Sequence, residues 1–436
     1  MRLIRLLKRD LAKEVSTWVD EDLISTDQAR SICRLYDVDY DSIQSHSTGY
    51  RLLVSLGYLF IGLAVITLLG ANWDEIPRGL RMAGLLAITM GAHGLALKSY
   101  LAEKESSATA LFMLGNLFYG ASIILIAQIY HLGEHMPDGV FWWALGSLPF
   151  GVLLRNAGLT LFSLLLALLW FFLEYSMGFF PTLFPIFIAA ALYVLIKGPP
   201  SMLLFLTVVA SLGFWIETLL SASWAGERYT FELHAEHILV SVALFIFAYA
   251  FSYWLHARES VKAKDYGVLL SLWTLRFGLI TLLVLSYEEP WREIIGADWG
   301  HQASMWQIVA VLLGASLWLA WKTAKLQTLV PIAAFCALSM IAVVLSSNPA
   351  NAVYFQIIYN VALVGSGIWL ILRGIHSGIS HYFFLGIAAI LLTAIMRYID
   401  LIGEYVGGAI LFTMLAVLLL GAARYWKAQQ IKEAGL

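Results

Sequence analysis

Residues 157–180 read AGLTLFSLLLALLWFFLEYSMGFF, an apolar run in which Glu174 is the single charged residue. A helix rises about 1.5 Å per residue, so about 20 such residues cross the hydrocarbon core of a bilayer. Similar runs alternate with short polar breaks from residue 50 to residue 424. The pattern predicts an all-α, polytopic bundle of about fourteen transmembrane helices. They are expected near residues 50–71, 79–98, 108–132, 138–154, 157–180, 181–197, 201–220, 236–256, 266–287, 303–321, 326–346, 350–372, 378–398 and 403–424.

The composition favours the same class of protein. Sixty per cent of the 436 residues are hydrophobic and 13% are charged, whereas about a quarter of the residues of a soluble domain are charged. The net charge of −2 argues against a nucleic-acid partner, which requires a basic surface. Two cysteines, Cys33 and Cys336, exclude a disulfide framework. Basic residues interrupt the apolar positions of the first ten residues, so we expect no cleaved signal peptide.

Lysine and arginine alternate between the two sides of the predicted bundle. With the N-terminus in the cytosol, 21 of the 27 Lys and Arg residues fall on the cytosolic side, five fall on the opposite side, and Arg276 lies within a span. Cytosolic loops of membrane proteins carry an excess of these residues. The alternation stays in phase to the end of the chain, which predicts that both termini are cytosolic.

Residues 1–48 are the longest polar segment, and we predict that they form a cytosolic domain in front of a membrane bundle at 49–436. Apolar residues recur in this segment at three- and four-residue spacing, as on one face of a helix. Ser25 and Gln28 have the spacing of a capping box, which predicts the start of a second helix. The segment is therefore predicted to be a helix–turn–helix hairpin. Docking of a cytosolic protein partner is favoured for it over DNA reading.

Several polar side chains lie inside the predicted spans, mostly toward the outer side. Such side chains are costly in lipid and usually face a cavity or one another. The skew predicts a polar crevice that opens outward; interhelical hydrogen bonds without a cavity are the alternative. The helix rise places Gln128, Glu174, Glu217, Gln307 and Gln356 in the outer half, Asn116, Arg276 and Asn360 near the middle, and His93 in the inner half.

Arg276 is the permanently charged residue nearest to the centre of a span. Leaving it unpaired there costs about 2.5–3.5 kcal/mol on the insertion scale. We predict that it pairs with Glu174 or Glu217 and that this pair forms the floor of the crevice. The alternative is a guanidinium that is capped by backbone carbonyls and by the hydroxyls of Ser271 and Thr274.

Tryptophan stands beside carboxylates at the outer ends of two predicted spans, in Asn72-Trp73-Asp74 and in Glu288-Glu289-Pro290-Trp291. An interfacial aromatic belt is the simpler interpretation of this pattern. A tryptophan platform with carboxylates, which binds sugars or cations, is the alternative. No nucleophile–base pairing, phosphate-binding loop or dinucleotide fingerprint is found in the sequence.

Histidines are concentrated in two breaks on the predicted outer side. His131, Glu134 and His135 have the H-x-x-E-H spacing of one class of zinc peptidases. Gly133 lies within the motif, which favours a loop over the helix that such an enzyme needs. A looser zinc or copper site remains a hypothesis, because imidazole suits both metals. Its ligands would be His131, His135, His234 and His237, and no other cofactor is expected.

Four stretches together resemble a family of predicted bacterial membrane proteins described as domain of unknown function 2157. The resemblance implies a membrane topology and an address in the bacterial inner membrane, and it implies no reaction. It covers the N-terminal segment and the first four spans well, and the C-terminal end more loosely. The stretches are Trp18…Leu23-Ile24-Ser25…Gln28-Ala29 with Tyr36, Ala71-Asn72-Trp73-Asp74, Gln128-Ile129-Tyr130-His131 with Trp143-Ala144-Leu145, and Arg397-Tyr398-Ile399-Asp400-Leu401.

These observations favour a transporter- or flippase-like protein that handles a small polar or lipid-linked substrate from the outer face. A non-catalytic scaffold or sensor, with the N-terminal hairpin as its docking element, is the alternative. A membrane-embedded enzyme of envelope glycans or lipids is less favoured than either. The hypothetical substrate-binding residues are Asn72, Trp73, Asp74, Gln128, Tyr130, His131, Glu174, Glu217, Arg276, Arg397 and Asp400.

Overall fold

A computed structural model describes residues 14–19, 21–35, 77–130, 135–225, 234–297, 299–377 and 380–400, with Thr413 and isolated positions between 53 and 67. The regular secondary structure of these residues is entirely helical, which confirms the all-α class. The chain divides into two compact units, residues 2–233 and 234–436. The division falls in the polar break between the seventh and eighth predicted spans. The domain boundary predicted at residue 48 lies outside the described residues.

The capping box predicted at Ser25 is present. The Ser25 N–H donates to Gln28 Oε1 over 2.9 Å, and the Gln28 N–H donates to Ser25 Oγ over 3.3 Å. Helix α1, Thr26–Leu35, begins at this box, and Val15 is fully buried against it. The rest of the predicted first arm lies outside the described residues, so the complete hairpin stays a prediction.

The first unit contains a series of helices in which successive members pack on each other. The helices are α2 Arg78–Leu101, α3 Glu105–Tyr130, α4 Met136–Leu153, α5 Ala157–Ser176, α6 Phe184–Lys197 and α7 Met202–Trp224. The most extensive packing is between α2 and α3 and between α4 and α5.

Asn156 fixes the tight turn between α4 and α5. Its side-chain oxygen accepts hydrogen bonds from the backbone N–H groups of Gly158 and Leu159, at 2.9 and 3.1 Å, and so caps α5. Its amide nitrogen donates to Thr109 Oγ1 of α3 over 3.0 Å. Arg155 has a φ of 49°, a left-handed conformation that reverses the chain. Because the turn is this short, the start of α4 and the end of α5 lie at the same end of the unit.

The second unit is also helical. Its helices are α8 Ala235–His256, α9 Val261–Val284, α10 Glu289–Gly296, α11 Gln302–Lys322, α12 Leu326–Leu345, α13 Ala352–Ser377 and α14 Ser380–Asp400, with a 3-10 turn at Pro349–Asn351. α8 packs along α9 and α11, and α13 packs along α14 and α9. The short helix α10 packs on α12 and α13.

Glycines allow α13 and α14 to approach within backbone contact. A Cβ added at Gly386 would lie 2.5 Å from the carbonyl oxygen of Gly367, and one added at Gly374 would lie 2.5 Å from the backbone nitrogen of Phe383. Distances this short leave no room for any side chain. Small residues at such positions let membrane helices gain close van der Waals contact.

Ten helices among the described residues are long and apolar enough to cross a membrane, so the predicted count of fourteen is not confirmed. The predicted span at 181–197 is a 14-residue helix, Phe184–Lys197, which extends about 21 Å and falls short of the bilayer core. Prolines near its start and the Gly-Pro-Pro sequence after it limit its length. α4 contains Pro149 and is not among the ten helices. The predicted spans at 50–71 and 403–424 lie largely outside the described residues.

Candidate functional site

His135 and Glu174 contact each other at one end of the first unit. His135 is the N-cap residue of α4, and Glu174 lies in the last turn of α5. His135 Nε2 lies 3.0 Å from Glu174 Oε2, and the Glu174 side chain is only 10% exposed. The short α4–α5 turn accounts for the contact, since it brings residues 39 positions apart in sequence to the same end.

Trp170 holds the second oxygen of this carboxylate. Its indole Nε1–H donates to Glu174 Oε1 over 2.9 Å from one turn earlier in α5. The indole is 5% exposed and packs on Phe141 and Phe187, with ring centroids 4.9 and 6.5 Å away. Both carboxylate oxygens therefore have partners within the first unit, and the aromatic packing fixes the position of the carboxylate.

Asp138 completes a group of three metal-ligand side chains with His135 and Glu174. One ligand atom from each lies within 4.8 Å of the others. Asp138 belongs to the first turn of α4, which places it beside His135. This is the one such group within the described part of the chain. We call His135, Asp138, Glu174 and Trp170 the His135 cluster.

Glu236, a buried carboxylate at the start of α8, lies near three histidines of the second unit. Glu236 is fully buried, and its Oε1 accepts a hydrogen bond from the backbone N–H of His301 over 2.8 Å. Glu236 Oε2 has no hydrogen-bond partner among the described residues. The ring of His234 lies 6.2 Å from that of His237 and 5.7 Å from that of His301. We call these four residues the Glu236 cluster.

Arg397 of α14 contacts the segment that follows α9. Its guanidinium donates to Ser286 Oγ over 3.2 Å and lies 4.3 Å from the centre of the Tyr287 ring. The Asn360 side-chain amide donates to the backbone carbonyls of Ser286 and Gln356, each over 2.8 Å. We call Arg397, Ser286, Tyr287 and Asn360 the Arg397 cluster. It joins α13 and α14 to the segment that follows α9.

Both clusters of the second unit border a single apolar core around Trp291. Trp291 is 3% exposed, and its Nε1–H donates to the Leu285 carbonyl over 2.6 Å. Ala235 and Tyr359 belong to the same core. They neighbour Glu236 and Asn360 in sequence, while Leu285 precedes Ser286. The Glu236 and Arg397 clusters therefore lie at the same end of the unit. A cavity of about 30 Å³ adjoins Trp291, enough for about one water molecule.

Other polar side chains within the helices of the first unit make interhelical hydrogen bonds. His93 Nε2 lies 3.3 Å from Asn116 Oδ1, and Trp143 Nε1–H donates to the Asn116 carbonyl over 2.8 Å. Thr89 and Ser122 are joined by a 3.0 Å hydrogen bond. These contacts connect α2, α3 and α4, and they match the alternative in which polar groups hold helices together.

Arg276 lies 5.2 Å from the centre of the Trp273 ring. The hydroxyls of Ser271 and Thr274 donate to backbone carbonyls of their own helix, at 2.8 Å each. The pairing of Arg276 with Glu174 or Glu217 stays a prediction.

The remaining candidate residues are spread along the helices. Tyr130 at the end of α3 donates to Met82 Sδ over 3.7 Å. Gln128, two residues before it, is exposed, and Glu217 is half-buried in α7. Asp400 is the last residue of α14. Asn72, Trp73, Asp74, His131 and Glu134 lie outside the described residues, so the H-x-x-E-H interpretation and the aromatic-belt interpretation of residues 72–74 stay predictions. At residues 288–291 both interpretations of the tryptophan are wrong, because Trp291 is buried in the core.

Trp170 and Ser286 were not predicted as site residues. Their partners lie on other turns or other helices, which the spacing of the sequence alone does not connect. One signal was present for Glu174 and His135, because the predicted topology places the end of the 157–180 span and the start of the 138–154 span on the same side.

No curated protein and no solved structure matches the chain. A family match covers the N-terminal third, including α1 to α4 and two members of the His135 cluster. The resemblance inferred from sequence is thereby confirmed over this range, and the many apolar helices agree with a multi-pass protein in a lipid bilayer. Residues 16–160 match the family of predicted membrane proteins described as domain of unknown function 2157.

Proposed function

We propose that the protein is a transporter- or flippase-like protein of the bacterial inner membrane, which handles a small polar or lipid-linked substrate from the outer face. The observation that supports this function best is the presence of opposite charges at one end of the second unit. There a buried carboxylate, Glu236, and a guanidinium, Arg397, border the same apolar core. Charged groups within membrane bundles commonly mark substrate or ion pathways.

The residues at this end of the second unit suit a substrate that carries both an anionic group and a cationic or hydrogen-bond-donating group. Arg397 offers a permanent cation that recognises phosphate or carboxylate oxygens. Glu236 offers a carboxylate whose Oε2 accepts no hydrogen bond from the described residues. A buried carboxylate in this state is costly unless it binds a proton, a cation or a donor group of a ligand. Asn360 extends the polar surface from Ser286 into α13.

We expect both termini to be cytosolic. The same topology places residues 104 and 260 on the cytosolic side, and Glu236 and Arg397 near the outer face. Single cysteines at Ser106, Ser223, Ala263 and Asn348, with Cys33 and Cys336 changed to serine, test the orientation. An impermeant thiol reagent added to intact cells should label the cysteines at 223 and 348 only. Labelling at 263 in intact cells would contradict the proposed orientation of the second unit.

A water-accessible path at Asn360 is the expected consequence of a transport function. In the same cysteine-free background, Asn360→Cys should react with a small hydrophilic thiol reagent, both in intact cells and in inverted vesicles. Val361→Cys is the matched control, because Val361 lies at the same depth with 68% of its surface exposed and is expected to face lipid. Reaction at neither position from either side would leave no path and would favour a scaffold.

The scaffold remains a second candidate because of the His93–Asn116–Trp143 contacts of the first unit. There, predicted crevice residues serve as interhelical hydrogen-bond partners. In this alternative the N-terminal segment docks a cytosolic protein. Deleting residues 1–45 then abolishes a partner contact while the membrane bundle stays intact.

A further inference from the structure

We propose that His135, Asp138 and Glu174 bind a divalent transition-metal ion, with Zn²⁺ as the best-fitting ion. This site differs from the four-histidine site suggested by the sequence, because a buried glutamate from α5 replaces the histidines of the second unit. The proposal is independent of the transport function, since it rests on the first unit alone.

The geometry requires little movement to accept the ion. Zinc binds histidine nitrogen at about 2.0–2.1 Å and carboxylate oxygen at about 2.0–2.2 Å, so tetrahedral ligand atoms lie about 3.3–3.5 Å apart. His135 Nε2 and Glu174 Oε2 are 3.0 Å apart, and an Asp138 oxygen lies within 4.8 Å of both ligand atoms. A change of a few tenths of an ångström in the first distance, and of about 1.5 Å at most in the other two, would complete three ligands, with a water molecule as the fourth.

The surroundings of Glu174 match those of a metal ligand. Ligating carboxylates are usually oriented by a second hydrogen bond to the oxygen that is turned away from the ion. Trp170 Nε1–H provides this bond to Glu174 Oε1 over 2.9 Å, and the indole itself is buried among aromatic rings. The carboxylate is nine-tenths buried, so it is already held in place before an ion arrives.

The position of Glu174 at the end of α5 gives an independent electrostatic reason for cation binding. Glu174 lies in the last turn of α5, where the helix dipole is negative and a second negative charge is unfavourable. A bound cation removes this repulsion and also neutralises Asp138. The mixed set of one imidazole and two carboxylates fits Zn²⁺ better than Mg²⁺, which prefers oxygen ligands and retains its waters.

Zinc titration of the full-length protein, purified in detergent with its affinity tag removed and treated with a chelator, tests the proposal. The wild-type protein should bind one Zn²⁺ per chain in preference to Mg²⁺. Glu174→Gln and Asp138→Asn should each weaken zinc binding by at least about 10-fold, and Trp170→Phe by about 10–100-fold, as for other groups that orient a ligand. His234→Gln is the control and should bind zinc like the wild type.

Absence of saturable zinc binding in the wild-type protein would overturn the proposal. Unchanged affinity in both Glu174→Gln and Asp138→Asn would overturn it as well. Loss of binding in His234→Gln with full binding in Asp138→Asn would instead assign the ion to the second unit. Asp138 is exposed, so its variant is expected to fold and to give a result even if Glu174→Gln does not.

Discussion

Gly386→Leu is expected to destabilise the protein by about 3 kcal/mol or more, at the upper end of overpacking substitutions. The added Cβ would meet the carbonyl oxygen of Gly367 at 2.5 Å and the backbone nitrogen of Ile371 at 2.9 Å. Backbone atoms cannot rotate away as the end of a flexible side chain can. The substitution therefore forces α13 and α14 apart, and the thermal unfolding midpoint in detergent should fall.

Gly365→Leu is the matched control for this prediction. Gly365 lies on the same helix as Gly367, and nothing lies within 4 Å of a Cβ added there. The same change of residue type should leave the unfolding midpoint near that of the wild type. Equal midpoints for the two variants would show that α13 and α14 do not pack through their glycines.

Trp291→Ala is expected to cost about 3–5 kcal/mol of stability, the range for removing a large aromatic from a core. The indole stacks on Phe355 and contacts Tyr359, with ring centroids 4.8 and 4.7 Å away. Its loss also leaves the buried carbonyl of Leu285 without its indole donor. Trp291→Phe keeps most of the ring contacts but loses this bond, so a smaller cost of about 1–3 kcal/mol is expected.

Trp318→Ala serves as the control, because Trp318 is 55% exposed on α11. Unfolding by denaturant in detergent, followed by intrinsic fluorescence, gives the free energies of unfolding of Trp291→Ala, Trp291→Phe and Trp318→Ala. If Trp291→Ala costs no more than Trp318→Ala, the core around Trp291 does not hold the Glu236 and Arg397 clusters in place. The proposed substrate end of the second unit would then lose its structural support.

Helix positions could be predicted well where polar residues bound an apolar run. The predicted spans 236–256 and 326–346 differ by one residue at most from the helices Ala235–His256 and Leu326–Leu345. Prediction was poorer where proline sets the boundary, as at Phe184–Lys197. There the apolar run is longer than the helix. Hydropathy depends on the polarity of the side chains and does not take account of the missing backbone N–H of proline, which limits the helix.

The candidate site was predictable in its residue types but not in its pairings. Glu174 was singled out as a costly charge in an apolar span, and its predicted pairing with Arg276 stays a prediction. His135 and Trp170, which contact its two carboxylate oxygens, were not predicted as its partners. Depth along the membrane normal gives one coordinate of a side chain. The direction in which it points around the helix also depends on packing, which a single sequence does not specify.

The turn at Asn156 has a consequence for how the His135 cluster can change during divergence. The number of residues between this turn and Glu174 determines the angular position of the carboxylate around α5. Deleting one residue from that interval would rotate Glu174 by about 100°, away from His135, while the helix would stay equally apolar. A relative can therefore keep all four residues of the His135 cluster and still lose the contact between Glu174 and His135 through a single deletion. The spacing between positions 156 and 174 indicates whether the cluster is intact better than the residue identities do.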